Sequence, residues 1–223
     1  NIVLPSRDGE LLFWAANKKK FKSYGISIII SDLKSIKTCL DKLGFYKFGL
    51  SNNFNFIHTS EDINNLNSSK FVVKERYGAG SKSIGLNLSY DEAIIHSKTL
   101  NYPIFQPYIE GIEISADAWL DQFYKVKGVI LRKRDLVIDG EAKVSTTFVD
   151  LNIENQVIQI LENLKLSGPV LLQGILQKNG KIIFIECNTR FGGASSLSIK
   201  AGLDSLYWSI LEIQGENLND YEF

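Results

Sequence analysis

The alternation of apolar and polar positions divides the chain into short strands and helices in mixed order. Residues 2 to 4, "IVL", form an apolar run of the buried-strand type, and "RDGELLFWAANKKKFKSYG" follows with the spacing of an amphipathic helix. Gly25 can end that helix by taking a left-handed conformation. "ISIII" is a second buried strand, and Ser31 is placed to cap a helix over "DLKSIKTCLDKLGF". A β-α-β-α order predicts a parallel, helix-covered sheet, and two strands are too few to complete one. The first part of the chain is therefore expected to be the end of a larger domain.

Residues 49 to 70 are rich in Asn and Ser and read as loops around a short element, which makes them the best boundary candidate. Beyond them, "KFVVKERY" and "SIGLNLS" are strand-like runs around "GAGSK", followed by a helix over "DEAIIHSKTL" and a strand over "IFQPYI". "EISADAWL" and "KVKGVIL" alternate as antiparallel strands do. A helix over residues 154 to 166 stops at "SGP", and "VLLQGILQ", "NG" and "KIIFIECN" read as a hairpin. Two further helices cover "SSLSIKAG" and "DSLYWSILEIQG". The expected fold class is α+β.

Composition narrows the function classes. The 223 residues carry 25 basic and 25 acidic side chains, so nothing favours broad attraction to nucleic acid or to an anionic membrane. No apolar run is long enough to span a bilayer, and "NIVLPSRDG" does not resemble a signal peptide. The two cysteines, Cys39 and Cys187, lack CxxC spacing, which argues against a disulfide framework or structural zinc and fits a cytoplasmic protein. The chain contains no methionine, which points to a fragment or to omitted modified methionines that leave hidden gaps.

The hairpin carries the most specific chemistry. Glu186, Asn188 and Arg190 are spaced two apart and share a strand face, while Ile185 and Cys187 are expected on the other. A two-residue turn at Asn179 and Gly180 would make Lys178 and Lys181 neighbours and set Gln173 opposite Glu186, with Cβ atoms roughly 4.5 to 5.5 Å apart. Gln173, Glu186 and Asn188 then converge as oxygen donors of the kind Mg²⁺ takes. A solvated hairpin face would alternate in the same way. Arg190 and the paired glycines beside it favour a phosphate clamp.

Two other stretches are weaker by themselves. In "VVKERYGAGSKSIG", Lys74 precedes glycines that could close backbone N–H groups over phosphate oxygens, though the same residues suit an ordinary flexible hairpin tip. In "FQPYIEGIEI", the Pro107 carbonyl followed by the Tyr108 N–H offers an acceptor and a donor for adenine, and Glu113 could accept from ribose hydroxyls. A strand, a turn and a solvated glutamate would read the same.

Taken in order, these segments resemble the ATP-grasp superfamily, in particular ligases similar to the large subunit of carbamoyl phosphate synthase. "LPSRDGELLFWA" and "ISIIISDLKSIKTCLDK" are similar to the end of the family's preceding Rossmann-like domain, and the three stretches above are similar to its core blocks. The resemblance implies an ATP-grasp fold of two α+β lobes. Residues 1–40 would be the remnant of the preceding Rossmann-like domain, 41–106 a small lobe with the glycine-rich phosphate loop, and 107–223 a large lobe with the metal site. It further implies that Lys42 and Lys74 touch the phosphates of ATP under a loop of Gly78, Ala79, Gly80 and Ser81. Gln106, Pro107 and Tyr108 would meet adenine, and Glu113 the ribose. Gln173, Glu186 and Asn188 would hold Mg²⁺, with Mn²⁺ as a substitute, and Arg190 with Lys74 would serve the transferred phosphoryl group. The implied activity is an ADP-forming ligase joining a small carboxylate, activated as an acyl phosphate, to an amine. A homo-oligomer is compatible with it. A nucleotide-binding module without ligation and a small-metabolite kinase are the alternatives.

The remaining candidates are read as structural. His58 falls in a loop and His96 in a helix, Cys187 and the three tryptophans suit a core, and "LRKRDL" (131–136) reads as a solvated basic stretch. Beside a nucleotide site, Arg132 of that stretch could instead bind an acidic substrate.

Overall fold

The structure, a computed structural model, describes every residue except 79, 81, 82, 139, 140 and 222 and the side chain of Glu141. The fold is α+β. Strands β1 (Ile2–Val3) and β2 (Ser27–Ile28) pair in parallel across helix α1 (Asp8–Ser23), as the β-α-β pattern predicts. Glu10 closes the start of α1, its Oε1 accepting from Ser6 N at 2.7 Å and Arg7 N at 2.9 Å. Gly25 takes φ +72°, the left-handed state that turns the chain out of the helix. Leu11 is buried while Leu12 and Phe13 are exposed, so the apolar face of α1 is narrower than its sequence suggests.

The single helix expected over residues 32 to 45 is two, α2 (Leu33–Leu40) and α3 (Lys42–Ser51). The break falls at Asp41, whose Oδ1 accepts from Leu43 N and Gly44 N, both at 3.1 Å. Arg76 adds two more bonds, Nε to Oδ1 at 2.7 Å and Nη2 to Oδ2 at 2.6 Å. A carboxylate so engaged starts a new helix instead of continuing the old one. Ser31, expected to cap α2, instead reaches across the fold: its Oγ donates to Ser167 O at 2.9 Å and accepts from Ser167 N at 3.0 Å.

A second sheet has the order β4-β3-β5, formed by β3 (Phe71–Glu75), β4 (Gly85–Leu88) and β5 (Pro103–Pro107) in antiparallel pairing. Helix α4 (Tyr90–Ser97) packs Ala93 against Phe71, Val73 and Phe105 of this sheet. The third sheet is antiparallel with order β10-β9-β6-β7-β8. Its strands are β6 (Ile112–Leu120), β7 (Val126–Ile138), β8 (Glu141–Phe148), β9 (Gly168–Leu176) and β10 (Ile182–Asn188). The polar run "EAKVSTTF" gives no strand signal; β8 exists because β7 extends past residue 131 and offers it an edge. Helix α5 (Leu151–Asn163) buries Ile153, Val157, Ile160 and Leu161 on one face of this sheet, so the opposite face is left to form a site. Phe45 of α3 joins the same core, stacked on Phe56 at 4.2 Å. Helices α6 (Ser195–Lys200) and α7 (Ser205–Gln214) follow, and Trp208 meets Trp119 edge-on at 5.8 Å in a small core of its own.

The β9–β10 hairpin forms by a different route from the one expected. Gln177 N donates to Lys181 O and Gly180 N to Gln177 O, each at 2.9 Å, so the loop has three residues and closes on Gly180 at φ +81°. Ile182 to Phe184 consequently pair one position out of the expected register. A bulge at Ile185 then slips the register by one, and Glu186 faces Gln173 as expected. The two departures cancel. Because of the bulge it is Phe184 that joins Cys187 in the core, while Ile185 lines the opposite face.

Candidate nucleotide site

A cleft of about 980 Å³ is lined by the three-stranded and five-stranded sheets, the start of α1, the end of α2 and Lys42. Its floor is one rung of the five-stranded sheet: Glu186 pairs with Gln173, Gln173 with Ser115, and Ser115 with Arg132. Strand alternation brings all four to one side, with Asn188 two residues beyond Glu186. Asn188 Nδ2 lies 3.0 Å from Gln173 Oε1 and 3.5 Å from Glu186 Oε1. With its amide turned the other way, Gln173 donates to Glu186 Oε1 at 2.5 Å and accepts from Arg134 Nη1 at 3.2 Å. The three expected metal ligands are thus in mutual contact. They fit a hard cation that takes one carboxylate and completes its shell with phosphate and water. Among the described residues no cluster of three His, Cys, Asp or Glu offers a competing metal site.

Two lysines reach the same floor from other elements. Lys74 projects from β3 and is 6% exposed; Lys42, in the first turn of α3, is 9% exposed. Burial lowers Lys74 from the ordinary 10.5 to about 8, a shift that Glu186 opposes and Lys42 reinforces. Burial also lowers Lys42, against the pull of Glu186, Asp8, Asp41 and Glu75. Two partly desolvated cations thus meet at Glu186, and a polyphosphate bound there would favour their charged forms. Lys42 Nζ donates to Gly78 O, which ties α3 to the glycine loop. Gly78 and Gly80 line the cleft; Ala79 and Ser81 lie outside the described residues.

The expected adenine edge is partly rearranged. Gln106 is buried, and its Nε2 donates to Thr59 Oγ1 at 2.8 Å. Tyr108 N, expected as a donor to the base, is spent on Lys70 O at 2.8 Å, one step past the end of the β3–β5 ladder. The Pro107 carbonyl points the same way as that of Phe105, which accepts from Ser60 N and not from β3. Ile109, next in the chain, lines the cleft, and its N–H has no protein acceptor among the described residues. An acceptor and donor pair is therefore present as Pro107 O and Ile109 N–H. Glu113 lines the cleft with its Oε2 accepting from Arg134 Nη1 at 2.6 Å.

Arg190 stands just past β10, where Asp8 holds it by Nε to Oδ1 at 2.8 Å and Nη2 to Oδ2 at 2.5 Å. Asp8 and Arg134 are site residues that sequence reasoning missed. Asp117, which pairs with the cleft-lining Arg132, was missed as well, yet "EISADAWL" contained its signal, since Glu113, Ser115 and Asp117 are spaced two apart on one face. "LRKRDL" is solvated only in part: Leu131 and Arg132 are buried in β7, while Asp135 and Leu136 are exposed. His96 Nε2 lies 2.9 Å from Ser83 O, and His58 stacks on Tyr46, so both histidines sit in structural roles. Cys187 is buried, and its thiol is pushed up by a hydrogen bond with Cys39 and by burial.

The profile of the ATP-grasp domain matches residues 39–194, the span that contains Lys42, Lys74, the Pro107 edge and the whole hairpin. The chain belongs to the ATP-grasp family. Solved structures share the ATP-grasp fold at low identity. The biotin carboxylase domain of the Hydrogenobacter thermophilus 2-oxoglutarate carboxylase, solved with MgADP, ADP and bicarbonate, is similar at TM-score 0.81 and 17% identity, over 99% of this chain and 55% of that one. An L-amino acid ligase from Bacillus licheniformis is similar at TM-score 0.66 and 18% identity, over 85% of this chain and 49% of that one. The VanG D-Ala:D-Ser ligase from Enterococcus faecalis is similar at TM-score 0.69 and 18% identity, over 93% of this chain and 72% of that one. This chain spans about half the length of the first two. No curated protein sequence matches it. Among the described residues no helix is long and apolar enough to cross a membrane.

Proposed function

We propose that this chain is the ATP-binding part of an ADP-forming ligase that joins a small carboxylate to an amine. The observation that carries the reading is the convergence of Lys74 and Lys42, both buried, on Glu186 and its neighbours Gln173 and Asn188. Residues 41–106 and 107–223 act as the two lobes that grip the nucleotide, and residues 1–40 are the end of a preceding Rossmann-like domain whose Asp8 reaches the site. The similarity to two amino-acid ligases supports a ligase over other phosphoryl-transfer chemistries.

Adenine binds at Pro107 O and Ile109 N–H, and ribose at Glu113. Lys42 and Lys74 neutralise the phosphates beneath Gly78 and Gly80. Gln173, Glu186 and Asn188 hold Mg²⁺ or Mn²⁺, which when bound neutralises phosphate charge and orients the phosphate oxygens. Arg190 stabilises charge on the transferred group, and the glycine loop excludes water. The carboxylate oxygen attacks the γ-phosphorus, the bond to ADP breaks, and an acyl phosphate results. The amine then attacks the acyl carbon, loses a proton and expels phosphate. The free buried cysteines suit a cytoplasmic setting.

Thermal unfolding with Mg²⁺ and ADP together tests the site, because a ligand at about 100 times its dissociation constant stabilises by about 2.7 kcal/mol. The wild type is expected to be stabilised and Lys74→Ala to lose most of the effect. A folded wild type that does not respond would refute the reading.

A further inference from the structure

Arg132 is a fully enclosed charge that the nucleotide does not use. It is 1% exposed on β7. Its Nε donates to Asp117 Oδ2 at 2.6 Å and its Nη1 to Ser145 Oγ at 3.2 Å. Asp117 is held in turn by Ser195 Oγ at 2.8 Å to Oδ1 and by Ser198 Oγ at 2.7 Å to Oδ2. Arg132 Nη2 has no protein acceptor among the described residues, although the residue lines the cleft. A buried ion pair adds little stability over an apolar replacement, so stability is a weak reason to build one with two serines locking the aspartate.

Three features define what Nη2 would bind. The Arg132–Asp117 pair is net neutral, so it offers hydrogen-bond donors without surplus charge; a carboxylate suits it, whereas phosphates are drawn to Lys42 and Lys74. Arg132 lies three strand steps from Glu186 along the floor rung, about 14 Å between backbones. A carboxylate being phosphorylated at the metal ligands is therefore not the one held at Arg132. Finally, Ser145 lines a second chamber of about 470 Å³, formed with Val144 and Leu197, which shares Ala142, Gly193 and Ala194 with the main cleft. The guanidinium stands at the junction of the two.

We infer that Arg132 holds the non-reacting carboxylate of the second substrate, so that the amine used by this protein is an amino acid whose side chain enters the adjoining chamber. The inference rests on the ligase reading above and extends it to the class of nucleophile. Asp117, Ser195 and Ser198 position the arginine.

The test is thermal unfolding of the full chain with saturating MgADP and a panel of L- and D-amino acids, each beside its carboxamide, which keeps the amine and removes the charge. At least one amino acid is expected to add stabilisation, with its amide and the Arg132→Lys variant each showing about tenfold weaker binding or more. Arg132→Lys keeps a cation against Asp117, and its response to MgADP alone reports an intact nucleotide site. The comparison with amides needs no variant, so the inference stays open to refutation even where Arg132→Lys does not fold. Amides that bind as well as the acids, an unchanged affinity in Arg132→Lys, or the absence of any amino-acid effect would each overturn the inference while the MgADP response stands. Loss of the MgADP response in the wild type would instead overturn the ligase reading beneath it.

Discussion

Asp8 and Arg190 are 182 positions apart in the chain and meet in a two-point ion pair, with Nε to Oδ1 at 2.8 Å and Nη2 to Oδ2 at 2.5 Å. The contact fastens the first turn of α1 to the end of β10 at the rim of the cleft. The side chains are 14% and 18% exposed, so neither charge is well solvated if the other is removed. Asp8→Asn is therefore expected to destabilise the chain by about 2 kcal/mol, below the cost at a fully buried pair. Urea unfolding measures it, and a midpoint equal to that of the wild type would show the pair to be energetically idle.

Lys74 governs the pH response. Its pKa of about 8 in the folded chain lies below the ordinary 10.5, so between those values the unfolded chain binds more protons. Stability contributed by this group therefore rises with pH across that window. A bound polyphosphate favours the charged amine, so MgADP binding just above pH 8 takes up protons, and affinity falls as pH rises through that value. Calorimetry in two buffers of different ionisation enthalpy reads the uptake, which Lys74→Met is expected to abolish. Undiminished uptake in the variant would assign the proton to another group.

Glu186 supplies the one carboxylate among the three expected metal ligands and also raises the pKa of Lys74. Glu186→Gln is expected to make ADP stabilise the protein equally with and without Mg²⁺ and to push Lys74 lower still. Retained magnesium dependence in a thermal shift assay would place the metal elsewhere.

Asp41 sets the position of Lys42 by capping α3 and binding Arg76. Burial alone would raise its carboxyl, but Arg76 and the Gly44 and Leu43 N–H groups outweigh that and lower it. Its contribution is thus present above the ordinary 3.8 and lost on acidification below it. Asp41→Ala is expected to cost about 2 to 3 kcal/mol and to weaken ADP binding, whereas Asp41→Asn keeps the cap and loses less. Equal effects of the two substitutions would leave the charge without a role.

The hairpin shows how far local reading reaches. Asn179 and Gly180 announced a turn, and period-two spacing placed Glu186 and Asn188 on one face. The loop length and the bulge at Ile185 were not legible, because Phe184 N and O are bonded to Asn55 and Ile57, more than 120 residues earlier. The Tyr108 donor failed for a similar reason: its N–H is claimed by the carbonyl of Lys70, just before β3. Arg132 read as solvated because nothing within "LRKRDL" reveals Asp117 beside it.

By itself the sequence determined the α+β class, most strand faces and the grouping of Gln173, Glu186 and Asn188 on one of them, since these follow from side-chain periodicity and turn chemistry over a few residues. Only the tertiary structure decided which charges meet. It set Asp8 on Arg190, brought Lys42 and Lys74 to Glu186, and buried Arg132 with Asp117. Those relations depend on pairing between distant segments and on exclusion of water, and no local window of residues contains either.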